Sequence, residues 1–166
     1  MAADFYGAVY GTQALLPLLL ESGQGMLYNV SSAAAFFPVV GTGPYSAAKG
    51  ALYNFTLALR EELQGRLTVG LICPGFSNTG IFRNQSQEKP QGIVAKVCTP
   101  PEKIVRGMLR LMDRGGALAI LGADAKLMRL GAAICPVRAA ALTRAILQKS
   151  GLSLFDGVFK PEESVR

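Results

Sequence analysis

The chain has 166 residues, of which 50% are hydrophobic and 17% are charged, and it carries a net charge of +6. This length is enough for one domain with a buried core, and the apolar composition excludes a disordered chain. The sequence contains no histidine, which excludes Ser-His-Asp triads, imidazole general bases and histidine metal sites, so we expect no metal.

Helix and strand patterns alternate along the chain. The first 23 residues read as a helix, and apolar residues recur at helical spacing after Pro44 up to about Gly65. Another amphipathic pattern covers residues 101–114. Short runs rich in strand-forming residues lie at 26–31, 67–73 and 117–123. Strands that are apolar throughout and alternate with helices predict an α/β fold, with a parallel sheet covered on both faces.

The cysteines and the N-terminus bear on the compartment. Cys73, Cys98 and Cys135 are odd in number and far apart, and no C-x-x-C pair occurs. We therefore predict buried free thiols in a reducing compartment. The N-terminus shows no secretion signal. A cytoplasmic location, with membrane association left open, is the expectation.

Tyr45 and Lys49 stand four residues apart on the helix that follows Pro44. Four residues turn a helix by about 400°, so the two side chains share one face. An ammonium beside a phenol stabilises the phenolate, which lets the tyrosine exchange a proton with a substrate. The pair alone is weak evidence, because an exposed helix surface is the simpler explanation of it.

Ser32 strengthens the case, because it stands at the C-terminal end of the first predicted strand. Open parallel sheets place ligands and catalytic groups at that edge. The stretch "PGFSNTG" after the second strand brings Pro74, Gly75 and Thr79 to the same edge. Ser31 points to the opposite side of the strand, and a structural hydrogen bond at the strand end is its expected role.

With these residues on one edge, the chain resembles the short-chain dehydrogenase/reductase family. The resemblance rests on Asn29-Val30-Ser31-Ser32, on Tyr45-Ser46-Ala47-Ala48-Lys49, and on Pro74-Gly75 with Thr79. It covers essentially all of the chain, but only the C-terminal half or slightly more of the family's domain. The resemblance implies a Rossmann-like doubly wound parallel sheet that is incomplete here.

The resemblance also implies an activity and its residues. An NAD(P)-dependent oxidoreductase would interconvert an alcohol and a ketone or aldehyde. Tyr45 would be the general acid/base, Ser32 would hold the substrate oxygen, and Lys49 would bind the nicotinamide ribose. Pro74, Gly75 and Thr79 would border the nicotinamide of NAD or NADP, which the sequence does not distinguish. A full-length member would be expected to form a homo-oligomer.

Two features depart from the family's pattern. An asparagine of the family falls at Asp4, where a carboxylate could serve a water relay or be a plain helix residue. No glycine-rich turn of the kind that binds a pyrophosphate precedes the first predicted strand. Three or more β-α units, about 100 residues in total, are then expected to be missing, and Met1 would be an internal methionine. We expect the chain to be weakly active or inactive alone. The alternative is a non-catalytic fragment that acts as a binding or assembly partner.

We expect a single partial domain with three segments. Residues 1–75 hold the first helix and the catalytic strand and helix, 76–100 form a loop that covers the substrate, and 101–150 hold a helix, the last strand and a basic helical tail. Apolar residues follow Ser32 and are frequent in the loop, which indicates a lipophilic substrate; the alternative is that these residues fill the core. The expected substrate-lining residues are Phe36, Phe76, Ile81 and Phe82.

The basic tail spans residues 126–149, with five cations and no acid. Pro136 interrupts it, and charged residues within it argue against a membrane-spanning helix. Two short helices are predicted, which either close the sheet edge or a dimer contact, or lie on an anionic membrane surface. Nucleic acid is not expected as a partner, because the segment has no aromatic residue to stack on bases.

Overall fold

The computed structural model describes residues 1–36, 38–77 and 98–149. A π-helical turn, Ala2–Tyr6, leads into helix α1, Gly7–Glu21, and then strand β1, Met26–Val30. A 3₁₀ turn, Ala33–Ala35, and helix α2, Gly43–Glu62, come before strand β2, Thr68–Pro74. After the gap come α3, Pro101–Asp113, β3, Leu118–Leu121, α4, Ala123–Ile134, and α5, Pro136–Gln148.

The strands form a parallel sheet in the order β1-β2-β3. Met26 of β1 pairs with Thr68 of β2, and Leu71 of β2 pairs with Leu118 of β3. The central strand is buried because neighbours cover it on both sides and helices cover both faces. The prediction of an α/β fold with a parallel sheet is confirmed.

Helices lie on opposite faces of this sheet. Leu27 and Val69 are register partners on one face, and they pack with leucines of α1 and α2. Leu121 of β3 pairs with Pro74, which points to the face opposite to that of Val69. On that face its side chain lies against Gly107 of α3. Alternation along the strands therefore puts α1 and α2 on one side and α3 on the other.

Helix α2 carries the predicted buried stripe. Ala48, Leu52 and Leu59 are buried, and Phe55 packs at the edge of the core. Asn29 of β1 donates a hydrogen bond to the buried Thr56 Oγ1 at 2.9 Å, which fastens the helix to the strand. Pro44 lies in the first turn of α2, where the fixed φ angle of proline suits a helix and its missing amide proton is not needed.

The prediction for the cysteines is correct in one part and wrong in another. All three described cysteines are free thiols. Cys73 is fully buried because it lies in the central strand, whereas Cys98 and Cys135 are half-buried because they lie beside helix ends.

Candidate active site

The end of β1 and the start of α2 border a cavity of about 940 Å³ at the C-terminal edge of the sheet. Its wall includes the predicted residues Ser32, Tyr45, Lys49, Pro74, Gly75 and Phe76. They come from two strand ends and one helix, so the parallel register and the packing of α2 bring them together. The arrangement puts hydroxyl, phenol and ammonium groups beside an apolar space.

Lys49 has contacts to two other elements and to its own helix. Its Nζ lies 3.2 Å from Asp4 Oδ1 and donates to the Val30 carbonyl at 3.2 Å. The ammonium also lies 5.7 Å from the centre of the Tyr45 ring, within the range of a cation–π contact. An ammonium has three protons to donate, and two are engaged by Asp4 and Val30. One proton therefore remains for a ligand in the cavity.

The backbone at Lys49 is anchored as well. Ser31 is buried, and its Oγ donates to the Lys49 carbonyl at 2.8 Å. Its amide donates to Ile72 O at 2.8 Å, continuing the ladder from β1 to β2. Ser31 thus fixes the strand end to the helix turn that carries Lys49, as expected for a structural hydrogen bond.

Ser32 caps the 3₁₀ turn that follows β1. Its Oγ accepts the amide of Ala34 at 3.2 Å. Because the oxygen is used as an acceptor there, its hydroxyl proton is left to donate into the cavity. Tyr45 is 40% exposed and lines the cavity.

Some predicted site residues lie elsewhere or outside the described chain. Phe36 was expected to line the substrate, but its ring packs edge-on against Tyr53 of α2, at 5.6 Å between ring centres, and Phe36 is not among the described lining residues. Thr79, Ile81 and Phe82 lie outside the described residues.

Sequence reasoning missed the opposite wall of the cavity. This wall is apolar and comes from α3 and α4, through Pro101, Ile104, Val105, Met108 and Met128. The helical spacing of Ile104 and Met108 was a signal for a buried stripe, but spacing does not tell a core from a cavity wall. Among the described residues, no group of three or more cysteine and acidic side chains is placed to hold a metal.

The family model described as short chain dehydrogenase matches residues 1–90. A Mycobacterium tuberculosis protein named "Putative oxidoreductase SadH" is 34% identical over 134 residues, which are 74% of this chain and 49% of that protein. Mouse estradiol 17-beta-dehydrogenase 2 is 42% identical over 86 residues, covering 51% of this chain and 22% of that enzyme.

A solved structure matches at the level of the fold and of the sequence. The short chain dehydrogenase from Burkholderia cenocepacia J2315, in complex with NADP, has a TM-score of 0.71 and 25% identity. The match covers 84% of this chain and 57% of the other. The chain spans half or less of the length of these curated relatives. Because the family model matches more than half of its residues, the chain belongs to the short-chain dehydrogenase/reductase family.

Proposed function

We propose that this chain carries the catalytic half of an NAD(P)-dependent oxidoreductase that interconverts an alcohol and a ketone or aldehyde. The observation that carries the proposal is the convergence of Ser32, Tyr45 and Lys49 on one cavity. The family supports a nicotinamide cofactor, since the Burkholderia relative is described in complex with NADP. The proposal does not choose between NAD and NADP.

In the proposed reaction, each of the three residues acts on one particular group of the substrate or of the cofactor. Tyr45 Oη gives a proton to the carbonyl oxygen during reduction and takes it back during oxidation. Ser32 Oγ donates a hydrogen bond to the same oxygen. The free proton of the Lys49 ammonium binds a ribose hydroxyl. When bound, the nicotinamide supplies or accepts the hydride.

The described residues fit one end of such a cofactor. Lys49, Pro74 and Gly75 border the cavity where a nicotinamide ribose would lie, and Thr79 is proposed to join them. The sequence contributes no glycine-rich turn for the pyrophosphate. We therefore propose that another segment binds the rest of the dinucleotide, and that the 166-residue chain alone binds it weakly and does not turn over.

A lipophilic substrate is supported by the chemistry of the cavity. Its wall is mostly apolar and includes Val39, Met108 of α3 and Met128 of α4. Aliphatic walls favour apolar ligands, because burying their surface releases water.

Asp4, bound to Lys49, is proposed to hold the ammonium, or to pass protons to a water relay.

The experiment needs two proteins: the 166-residue chain and the product of the longer reading frame that includes its upstream sequence. Lipophilic ketones with NADH or NADPH should be reduced by the longer protein. Fluorescence titration of the 166-residue chain should show no micromolar binding of either nucleotide. An in-frame stop just upstream of Met1, or micromolar binding by the short chain, would contradict this part of the proposal.

A second candidate is a binding or assembly role without catalysis. It is favoured by β1, which is an edge strand of the described sheet and exposes Met26 and Val30. Unpaired strand edges are templates for pairing with another chain. Absence of nucleotide-dependent activity in the longer protein, together with stable pairing through β1, would support this role instead.

We also propose that the protein is cytoplasmic and forms homo-oligomers when full length. We further propose that its basic tail contacts an anionic membrane surface. Leu127, Leu130 and Ile134 are exposed at helical spacing on α4, beside cations such as Lys126. Such a face suits the headgroup region of a bilayer. In the part of the chain that the structure describes, no helix is long and apolar enough to cross a membrane.

A further inference from the structure

Asp124 is a buried carboxylate beside the cavity wall. It lies in the first turn of α4, two residues after Gly122 at the end of β3. Its side chain reaches the neighbouring strand end, where residues 74–77 form part of the cavity wall. In the described ranges no cation forms an ion pair with it. A carboxylate buried without a cation depends on hydrogen bonds to offset its lost hydration.

The hydrogen bonds of Asp124 act on the backbone of Phe76. The Phe76 amide donates to Asp124 Oδ2. On its other side, the Phe76 carbonyl accepts the Thr99 amide at 2.8 Å, and the Gly75 amide donates to the Leu121 carbonyl at 2.8 Å. Both peptide groups of Phe76 are therefore fixed, one by a side chain and the other by backbone.

The same carboxylate fills space that two glycines leave open. A Cβ atom at Gly75 or at Gly122 would overlap the Asp124 carboxylate. Gly122 also has a φ angle of +113°, a conformation that side chains disfavour. The ends of β2 and β3 are thus packed directly against Asp124, with no room for another side chain between them.

Thr99 and Ser77 extend this arrangement to both ends of the segment between residues 77 and 98. They form an isolated parallel bridge, and Ser77 Oγ donates to the Thr99 carbonyl at 2.9 Å. Phe76 is bonded to Thr99 as well. Asp124 therefore lies beside the point where Ser77 and Thr99, the two ends of this segment, are paired.

The second oxygen of Asp124 has no protein partner among the described residues. Oδ1 is buried and accepts no hydrogen bond there. Burial raises the pKa of Asp124, against the opposing effect of the amides of Phe76, Ala125 and Asp124 itself. Among the described residues, the Asp124 charge also acts on the Cys98 thiol, whose pKa is raised by burial and then by that charge.

We propose that Asp124 is a positioning residue, which sets the cavity wall at residues 74–77 through its hydrogen bond to the Phe76 amide. The proposal rests on the proposed function, because this wall would border the nicotinamide and the substrate. Asp124 does not touch the reacting atoms; it determines where the wall lies relative to Ser32 and Tyr45.

The test measures amide hydrogen exchange by NMR in the 166-residue chain and its Asp124→Ala and Asp124→Asn variants. In Asp124→Ala the Phe76 amide should exchange at least about tenfold faster, because it loses its acceptor. In Asp124→Asn protection should be largely restored, because the amide oxygen accepts the same bond. The Leu71 amide, bonded to Ala117 O in the core of the sheet, is the internal control and should not change.

A second readout uses the wild-type chain alone. The Phe76 amide shift should follow the titration of the Asp124 carboxyl, and this dependence should be absent in Asp124→Asn. Asp113→Ala, at the exposed end of α3, is the matched control and should leave both readouts unchanged. An unchanged Phe76 amide in Asp124→Ala, or no pH dependence in wild type, would overturn the proposal. If Asp124→Ala does not fold, the Asn variant and the titration decide.

Neither measurement needs a cofactor. Failure of the longer protein to oxidise or reduce any substrate would therefore contradict the proposed function and leave the Phe76 result standing. In a longer protein that is active, Asp124→Ala should lower kcat or raise KM and Asp124→Asn should restore most of the loss, whereas Asp113→Ala should change neither.

Discussion

Asp4 Oδ1 and Lys49 Nζ form an ion pair at 3.2 Å that joins the π-helical turn at the start of the chain to helix α2. The Lys49 side chain is 14% exposed and that of Asp4 is 42% exposed, so water screens the pair from one side. The same ammonium is bonded to the Val30 carbonyl at the end of β1. A residue at the first turn thus helps to place the ammonium that borders the cavity.

The first prediction concerns this ion pair. Asp4→Ala should lower the free energy of unfolding by no more than about 1 kcal/mol, because half-exposed pairs contribute little. Urea unfolding of the 166-residue chain measures the loss, and a double-mutant cycle with Lys49→Met isolates the pair. Glu21→Ala, on the exposed end of α1, is the control. A coupling energy indistinguishable from zero, at low and at high salt, would show that the two charges do not interact.

The second prediction concerns catalysis in the longer protein. Tyr45→Phe should reduce turnover to below a tenth of wild type with little effect on stability, because it removes one hydroxyl and keeps the helix. Tyr53→Phe is the matched control, since Tyr53 lies on the same helix and packs against Phe36. Activity above a tenth in Tyr45→Phe, or an equal loss in Tyr53→Phe, would contradict the assignment of Tyr45 as the acid/base.

The third prediction follows from the burial of Cys73. Burial raises the pKa of its thiol to about 12, while the Ser31 side chain and the charge of Arg129 act in the opposite direction. A shift of this size lowers the thiolate fraction at pH 8 by about a thousandfold, and the thiolate is the species that reacts. Iodoacetamide should therefore label Cys135 long before Cys73 in the folded chain, as measured by peptide mass spectrometry. Equal labelling before unfolding would contradict it.

The fourth prediction concerns pH and Asp124. Burial raises the pKa of this carboxyl above its ordinary value of 3.8, so between that value and the raised one the folded chain binds more protons than the unfolded chain. The free energy of unfolding should fall as pH rises through this window. Asp124→Asn lacks this titration, so its stability relative to wild type should increase over the same window.

Urea unfolding between about pH 4 and pH 8 measures this difference. Asp113→Asn, which removes an exposed carboxyl, is the control for the loss of a carboxylate as such. If the stabilities of Asp124→Asn and wild type stay a constant distance apart at every pH, Asp124 does not titrate with a raised pKa.

The fifth prediction concerns the basic tail. The chain should sediment with anionic vesicles and not with neutral ones, and salt should weaken the binding, because each surface cation adds about 1 kcal/mol of attraction. Lys126→Gln with Arg129→Gln should reduce binding more than Arg106→Gln with Arg110→Gln, which removes the same charge from exposed positions of α3. Equal sedimentation with both vesicle types, or none with either, would favour a packing role for the tail.

Local patterns in the sequence determined the order of the elements. The apolar run before Ser32 predicts β1, the stripe from Ala48 to Leu59 predicts α2, and Pro136 divides the tail into α4 and α5. These signals are local, because hydrophobic periodicity and helix-ending prolines depend on only a few neighbouring residues. The spacing of Tyr45 and Lys49 likewise places both side chains on one face of the helix, whatever tertiary contacts the helix makes.

Contacts between residues far apart in the chain were decided by the tertiary structure. The pairing of Lys49 with Asp4, the bond from Asp124 to the Phe76 amide, and the wall formed by Ile104 and Met108 each join separate elements. Sequence periodicity shows that a side chain faces away from water, but not which side chain or cavity it meets. Asp4 meets the ammonium because the first turn packs against α2, where the rings of Phe5 and Phe55 are in contact. Asp124 meets the Phe76 amide because the parallel pairing of β2 and β3 brings their ends together.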